Sequence, residues 1–143
     1  MSELKKKDLH TPFNNLSIIK ILSHLFKGQS EQATAADAEL AVPGMAPTTQ
    51  SLMVYDAYAM LTNACASGES ISFDIKVDGS SILTEPLVLD DTSDVKTQLR
   101  LSVDPAKRFI PRGSIVTVVR DYTAGGAPTP ITNTKCVIEA YPA

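Results

Sequence analysis

The feature that most constrains the fold is an alternation of apolar and polar side chains in the middle of the chain. Between Ser70 and Asp78 every second residue is apolar, namely Ile71, Phe73, Ile75 and Val77. A period of two places the apolar side chains on one face of a β-strand and the polar ones on the other. The Asp78-Gly79 pair is typical of a two-residue hairpin turn. The segment therefore predicts a half-buried strand that leads into a hairpin.

Further segments with strand-like patterns follow one another from residue 36 onward, separated by turn signals such as Pro43-Gly44 and Asp104-Pro105. The predicted strands are Ala36–Val42, Leu52–Leu61, Ser70–Asp78, Ile82–Leu89, Val95–Val103, Ile115–Tyr122 and Thr134–Tyr141. Turns about every eight to twelve residues are typical of an antiparallel sandwich. No helical pattern lies between the strands, which disfavours a parallel α/β sheet. The sequence predicts an all-β, antiparallel β-sandwich, jelly-roll-like, with seven to eight strands.

The first thirty residues have a different pattern. A polar stretch with Lys5–Lys7 precedes apolar residues at helical spacing, and Asn14 or Asn15 could cap a helix that Gly28 ends. This predicts a short helix, Leu16–Phe26, of about three turns. The predicted organisation is therefore an N-terminal arm and amphipathic helix in residues 1–30, followed by a sandwich domain in residues 31–143.

The predicted helix has more apolar surface than a helix that is half exposed to water usually has. Either it covers an open end of its own sandwich, or it docks into a groove on a partner or a sister subunit. A segment this apolar is not expected to stay exposed on a soluble monomer, and its position ahead of a complete sandwich favours the second interpretation. The predicted partner-binding residues are Leu16, Ile19, Leu22 and Phe26.

The sequence does not predict catalytic chemistry. Both histidines, His10 and His24, precede the predicted sandwich, whereas a catalytic triad needs a histidine within hydrogen-bond reach of a nucleophile and a carboxylate. A small β-sandwich hydrolase is therefore disfavoured. Cys65 and Cys136 form no CxxC motif, so we expect them to be reduced and buried. We predict no enzyme, no catalytic residue and no cofactor.

Two groups of acidic residues have alternative interpretations. The aspartates of the Asp90–Asp94 loop could attract calcium, but the loop lacks the glycine and the terminal glutamate of an EF-hand. A solvated turn is the expected structure. Glu69, Asp74 and Asp78 lie close in sequence, as a glycosidase pair could. Asp74 and Asp78, however, fall on the polar face of a strand, where we expect solubilising charges. No metal site is predicted.

Charge and hydropathy exclude two classes of partner. The chain has 13 basic and 16 acidic residues, a net charge of -3, so nucleic acid is not an expected partner. The apolar run Leu16–Phe26 is too short and too polar to cross a bilayer, and no signal-peptide pattern occurs. We therefore predict no membrane association and synthesis in a cytosol.

Three segments together resemble a β-sandwich module of tailed-phage virion proteins: Ala57–Leu61, Gly68–Leu83 and Phe109–Val118. In that module an alternating strand ends in Asn-Gly and leads into Thr-Ser-Ile-Leu. A hydrophobic–Pro/Ala–x–Gly–Asp segment and a β-branched strand follow later. Here Asp78 stands where asparagine is usual, and Ser114 where aspartate is usual. The resemblance covers roughly residues 53–143.

The resemblance implies a capsid decoration, or cement, protein that binds the outer surface of a phage head and bridges capsid subunits. Its implied partners are the major capsid protein and copies of itself, as a dimer or trimer. The implied location is the virion, after synthesis in the host cytoplasm. The alternative is a receptor- or glycan-binding module of a head or tail fibre. That alternative requires exposed aromatic residues, for which Tyr122 and Tyr141 are the late candidates.

Overall fold

The computed structural model describes residues 25–125 and 131–143, which form two antiparallel sheets enclosing one core. The predicted all-β class and antiparallel sandwich are confirmed. The strands of the described residues are β1 (Phe26–Thr34), β2 (Ala38–Ala41), β3 (Leu52–Met60), β4 (Ser70–Val77), β5 (Ser80–Ser81), β6 (Leu87–Leu89), β7 (Leu99–Arg100), β8 (Phe109–Ile110), β9 (Val116–Thr123) and β10 (Thr132–Pro142). A 3-10 turn, Pro105–Lys107, precedes β8. Within residues 25–125 and 131–143, no helix is long and apolar enough to span a membrane.

The first sheet has three long adjacent strands, and the second sheet has two. The first sheet has the order β1-β10-β3-β7, with β8 pairing with β3 as well. The second has the order β2-β9-β4-β5, with β6 also pairing with β4. All these pairings are antiparallel. Because β1 and β2 lie in different sheets, the chain crosses between them at the short connection 35–37.

Strand β4 has the alternation of buried and more exposed side chains that the sequence predicts. Ile71, Phe73 and Ile75 are fully buried, and the polar residues between them are half-buried on the other face. Asp78 and Gly79 have φ angles of 50° and 85°, which is the left-handed region that a tight hairpin turn requires. The predicted turn between β4 and β5 is therefore present.

The even alternation expected of β3 is wrong over part of the strand because a β-bulge reverses it. Val54 is buried, and so are Ala57 and Ala59, although an even spacing would put Val54 on the face opposite the two alanines. The register of β3 on β10 shifts between Glu139 and Ala140, which leaves Tyr55 as the extra residue. A bulge adds one residue to one strand and changes which side chains face the core.

Strand β1 corrects the prediction at the N-terminal boundary. Phe26, expected at the end of a helix, begins β1 and pairs with Ala140. Gly28, expected to end that helix, lies within the same strand and is buried. A Cβ atom at Gly28 would lie 2.7 Å from Val42 Cγ1 and 2.9 Å from Met45 Sδ. Glycine is required there by close packing between the sheets. Residues 16–24 of the predicted helix lie outside the described residues.

A buried arginine joins the two sheets inside the core. Arg120 on β9 has no exposed surface. Its Nε donates to Thr134 Oγ1 at 3.0 Å, and its Nη1 donates to Ser30 Oγ at 2.8 Å. Its Nη2 donates to the carbonyl oxygens of Ser30 and Thr134 at 2.9 and 3.3 Å. The guanidinium carbon also lies 5.3 Å from the ring centroid of Phe73, its neighbour on β4, within cation–π range.

Candidate functional site

Aromatic and apolar side chains lie side by side on the outer face of the first sheet. Met53 on β3 pairs with Phe109 on β8 and with Tyr141 on β10. Directly opposed residues place their side chains on the same face. The neighbouring pair, Leu52 and Ile110, is buried in the core, so Met53, Phe109 and Tyr141 point outward.

The β3 bulge adds a second exposed aromatic side chain to this row. Tyr55 lies two residues after Met53 and is 56% exposed, and Phe109 is 51% exposed. Met53 and Tyr141 are half-buried. We call these four residues, Met53, Tyr55, Phe109 and Tyr141, the aromatic patch. Adjacent exposed apolar side chains on a soluble protein often mark an interaction surface.

An open depression of about 360 Å³ adjoins the patch at Tyr55. Its lining consists of Tyr55, Asp56, Arg100, Leu101, Ser102, Val103 and Arg108. The Arg100 Nε lies 3.2 Å from Asp56 Oδ1. Arg108 Nη1 donates to the backbone carbonyls of Val54 and Tyr55 at 3.1 and 3.3 Å. Arg108 therefore satisfies the carbonyl groups at the bulge and helps to hold Tyr55 at the surface.

The remaining large exposed apolar residues are spread over the rest of the described chain. Leu40 lies on β2, Val88 on β6, and Ile115 just before β9. Strands β2 and β6 are on opposite sides of the β9-β4 pair, so Leu40 and Val88 are far apart. The first sheet therefore has the more concentrated apolar surface.

The aromatic patch lies at the end of the sheet where the N-terminal segment joins the sandwich. Phe26, the first residue of β1, pairs with Ala140, which directly precedes Tyr141. Phe26 itself is half-buried against the protein's own core. Of the four residues predicted to bind a partner, Leu16, Ile19 and Leu22 lie outside the described residues.

Glu69 is the most buried carboxylate of the described residues, with 1% of its surface exposed. It accepts hydrogen bonds from Tyr122 Oη at 2.6 Å, Ala66 N at 2.9 Å and Ile131 N at 3.0 Å. Burial alone would raise the pKa of this carboxyl, but the three hydrogen bonds outweigh it and hold the pKa below its ordinary value. The hydrogen bond that Tyr122 donates to Glu69 raises the pKa of Tyr122 to about 12. Glu69 therefore ties three segments of the chain together.

Asp74, Asp78 and Asp90, which the sequence analysis also considered, accept hydrogen bonds within the fold. Asp90 Oδ1 accepts from the backbone and side chain of Thr92, which is the expected solvated turn. Asp74 accepts from Ser81 Oγ at 2.6 Å, and Asp78 accepts from Ile115 N at 2.8 Å. Over residues 25–125 and 131–143, no three His, Cys, Asp or Glu side chains are grouped so that they could hold a metal ion.

Both cysteines are buried free thiols, as predicted. Burial raises the pKa of Cys65 to about 11, with a further contribution from Glu69. Burial raises the pKa of Cys136 to about 12, although Arg120 opposes the shift. Since the thiolate is the reactive form, both thiols are unreactive at neutral pH.

No protein-family model and no curated protein sequence matches the chain. Among solved structures, it is similar to a chain titled Desmodium yellow mottle tymovirus. The TM-score is 0.40 at 10% sequence identity, over 83% of this chain and 82% of that one. A likeness at this level identifies neither a family nor a function.

Proposed function

We propose that this chain is a structural virion protein, a capsid decoration protein that binds the outer surface of a phage head. The observation that carries the proposal is the aromatic patch on the outer face of the first sheet. Exposed aromatic side chains are common energetic centres of protein interfaces. The resemblance of the sequence to tailed-phage β-sandwich modules supplies the proposed partner, the major capsid protein. The proposed location is the virion, after synthesis in the host cytoplasm.

The mechanism follows from binding that favours the assembled shell. A protein that binds only where capsid subunits meet stabilises the assembled state over the dissociated one. The patch would supply one contact, and the apolar N-terminal residues Leu16, Ile19 and Leu22 would supply another. Because the N-terminal segment joins β1 at Phe26, which pairs with the neighbour of Tyr141, one chain would link the two contacts. Two linked contacts increase the apparent affinity through effective concentration.

A non-catalytic role is part of the proposal. The buried carboxylate Glu69 is fully occupied by structural hydrogen bonds, and the described thiols have raised pKa values. Asp74 and Asp78 each accept a hydrogen bond from a neighbouring residue. These interactions suit a folded module whose polar groups serve stability.

The test replaces Phe109 by glutamate and measures co-sedimentation with expanded, undecorated shells of the major capsid protein from the same virus. We expect Phe109→Glu to weaken binding by about tenfold or more, because it places a charge at the centre of an apolar contact. Val88→Glu is the matched control, since Val88 is 57% exposed on the opposite sheet. Equal binding of both variants and the wild type would show that the patch is not the contact.

A fibre-type glycan-binding module is a second candidate, favoured by the depression beside Tyr55. Aromatic rings stack on sugars, and the Asp56, Arg100 and Arg108 side chains around the depression can hydrogen-bond hydroxyl groups. If this candidate is correct, the wild type binds a glycan array, and Tyr55→Ala abolishes the signal. Binding to shells without any glycan signal would reject it.

A further inference from the structure

Strand β1 leaves one side of its backbone unpaired among the described residues. It is nine residues long and lies at the end of the strand order β1-β10-β3-β7. A strand at the edge of a sheet has free N–H and C=O groups that can pair with another strand. A long, regular edge strand is therefore an interaction surface of defined geometry.

Two outward side chains of β1 are charged, and each lies opposite a residue of opposite charge on β10. Lys27 pairs across the sheet with Glu139, and Glu31 pairs with Lys135, with a nitrogen–oxygen distance of 3.8 Å. Gln29 lies midway between Lys27 and Glu31 on the same face. The two charges of β1 are thus opposite in sign and equally distant from Gln29.

We propose that β1 pairs antiparallel with β1 of a second copy of this chain, with the two-fold axis at Gln29. This arrangement sets Lys27 opposite Glu31 of the second copy, and Glu31 opposite Lys27 of the second copy. Each row across the interface then consists of Glu139 and Lys27 of one copy, followed by Glu31 and Lys135 of the other. The signs of the charges alternate along this row. Opposite charges on directly opposed positions stabilise a strand pair.

The charge pattern selects this register over its neighbours. In a two-fold strand pair, directly opposed residues lie on the same face, so the nearest alternative centres are Gly28 and Ser30. A centre at Gly28 sets Lys27 opposite Gln29, and a centre at Ser30 sets it opposite Ala33. Of these three registers, the one centred at Gln29 pairs both charges with opposite ones.

The inward side of the strand also fits this pairing. Next to the axis the inward residues that face each other are Gly28 and Ser30, which are small and already buried in the sandwich. Further from the axis, the half-buried Phe26 of one copy faces the half-buried Gln32 of the other. The two first sheets then become one continuous sheet, with the outer faces of both copies on the same side. The dimer would carry two aromatic patches on one surface. The pairing itself does not depend on capsid binding, because it concerns the isolated protein.

The proposal can be tested by exchanging the charges at Lys27 and Glu31. Sedimentation velocity of the full chain, over a concentration series at low salt, measures the dimer dissociation constant of each variant. We expect Lys27→Glu or Glu31→Lys alone to raise the dimer dissociation constant by about tenfold, since two opposed pairs become repulsive. The double variant K27E/E31K restores the interchain pairs and should dimerise within about threefold of the wild type. Both intrachain pairs, with Glu139 and Lys135, are repulsive in the double variant, so recovery reports the interchain contact.

A thiol introduced at the axis provides an independent test. Gln29→Cys would place two thiols on directly opposed residues, whose Cα atoms lie about 4.5 to 5.5 Å apart in an antiparallel pair, within disulfide range. We expect a covalent dimer under mild oxidation. Ala41→Cys, exposed on the edge strand β2 of the other sheet, should form no interchain disulfide. A wild type that stays monomeric at its highest soluble concentration overturns the proposal. So does a dimer that neither responds to the charges nor crosslinks in the Gln29→Cys variant.

Discussion

Replacing Arg120 with methionine is expected to lower the free energy of unfolding by about 2 to 4 kcal/mol. Methionine fills a similar volume and removes the cost of burying a charge, which by itself would favour the variant. However, the arginine is the hydrogen-bond donor for two hydroxyl and two carbonyl oxygens on Ser30 and Thr134. A buried polar group that loses its partner costs about 1 to 3 kcal/mol, and several groups lose theirs at once. Urea unfolding followed by circular dichroism measures the change.

Two further variants separate the hydrogen-bond network from the volume of the side chain. Arg120→Lys keeps the charge but has a single nitrogen, which cannot reach both β1 and β10 in the way a guanidinium does. We expect it to be destabilised nearly as much as the methionine variant. Adding Ser30→Ala and Thr134→Val to Arg120→Met removes the orphaned hydroxyl groups, and part of the lost stability should return. A methionine variant as stable as the wild type would contradict the structural role of the network.

The fold could be predicted wherever a strand has one face in the core and one in water. Strand β4 satisfies this condition along its whole length, and both its faces and its turn were predicted correctly. Segment Val95–Val103 satisfies it only in part. Leu101 and Val103 are buried, but the regular pairing is limited to Leu99–Arg100. Alternation predicts which side chains are buried more reliably than which backbone groups pair.

Strand β1 was missed because its pattern depends on its neighbours. Its inward residues include Gly28 and Ser30, which are small or polar. Gly28 lies in the core because Val42 and Met45 fill the space next to it, and Ser30 because Arg120 hydrogen-bonds to it. None of these three residues is close to β1 in the sequence, so no local pattern could indicate the strand.

The candidate site was missed for a related reason. The expected alternation of β3 assumed a regular strand, and the bulge at Tyr55 reverses it. Phe109 was identified only as part of a resemblance, and its position beside Met53 depends on the pairing of β8 with β3. Tyr141 was noted as an isolated aromatic residue. The register of the sheet brings Met53, Phe109 and Tyr141 together. The register between strands that are distant in the sequence cannot be deduced from residue spacing alone.

Replacing Glu69 with glutamine is expected to lower the free energy of unfolding by about 1.5 to 3 kcal/mol at pH 7. The carboxylate accepts hydrogen bonds at both oxygens, from Ala66 N at one and from Tyr122 Oη and Ile131 N at the other. An amide has only one acceptor oxygen. Its NH2 group would therefore face at least one of these donors. Glu85→Gln, at an exposed position, is the matched control and should unfold like the wild type.

The difference in unfolding free energy between the wild type and Glu69→Gln is expected to depend on pH, which tests the role of the charge more directly than a single measurement at pH 7. The folded pKa of Glu69 is lower than its ordinary value of 4.5, so the folded state binds fewer protons than the unfolded state. The stabilisation is therefore fully present above that ordinary value and is lost as the pH falls through the folded pKa. The glutamine variant does not titrate at this position. Urea unfolding at a series of pH values should show the two proteins converging in acid, because the wild type then also has a neutral side chain there. A difference that stays constant down to the acid limit would mean that the charge of Glu69 does not hold its three donors together.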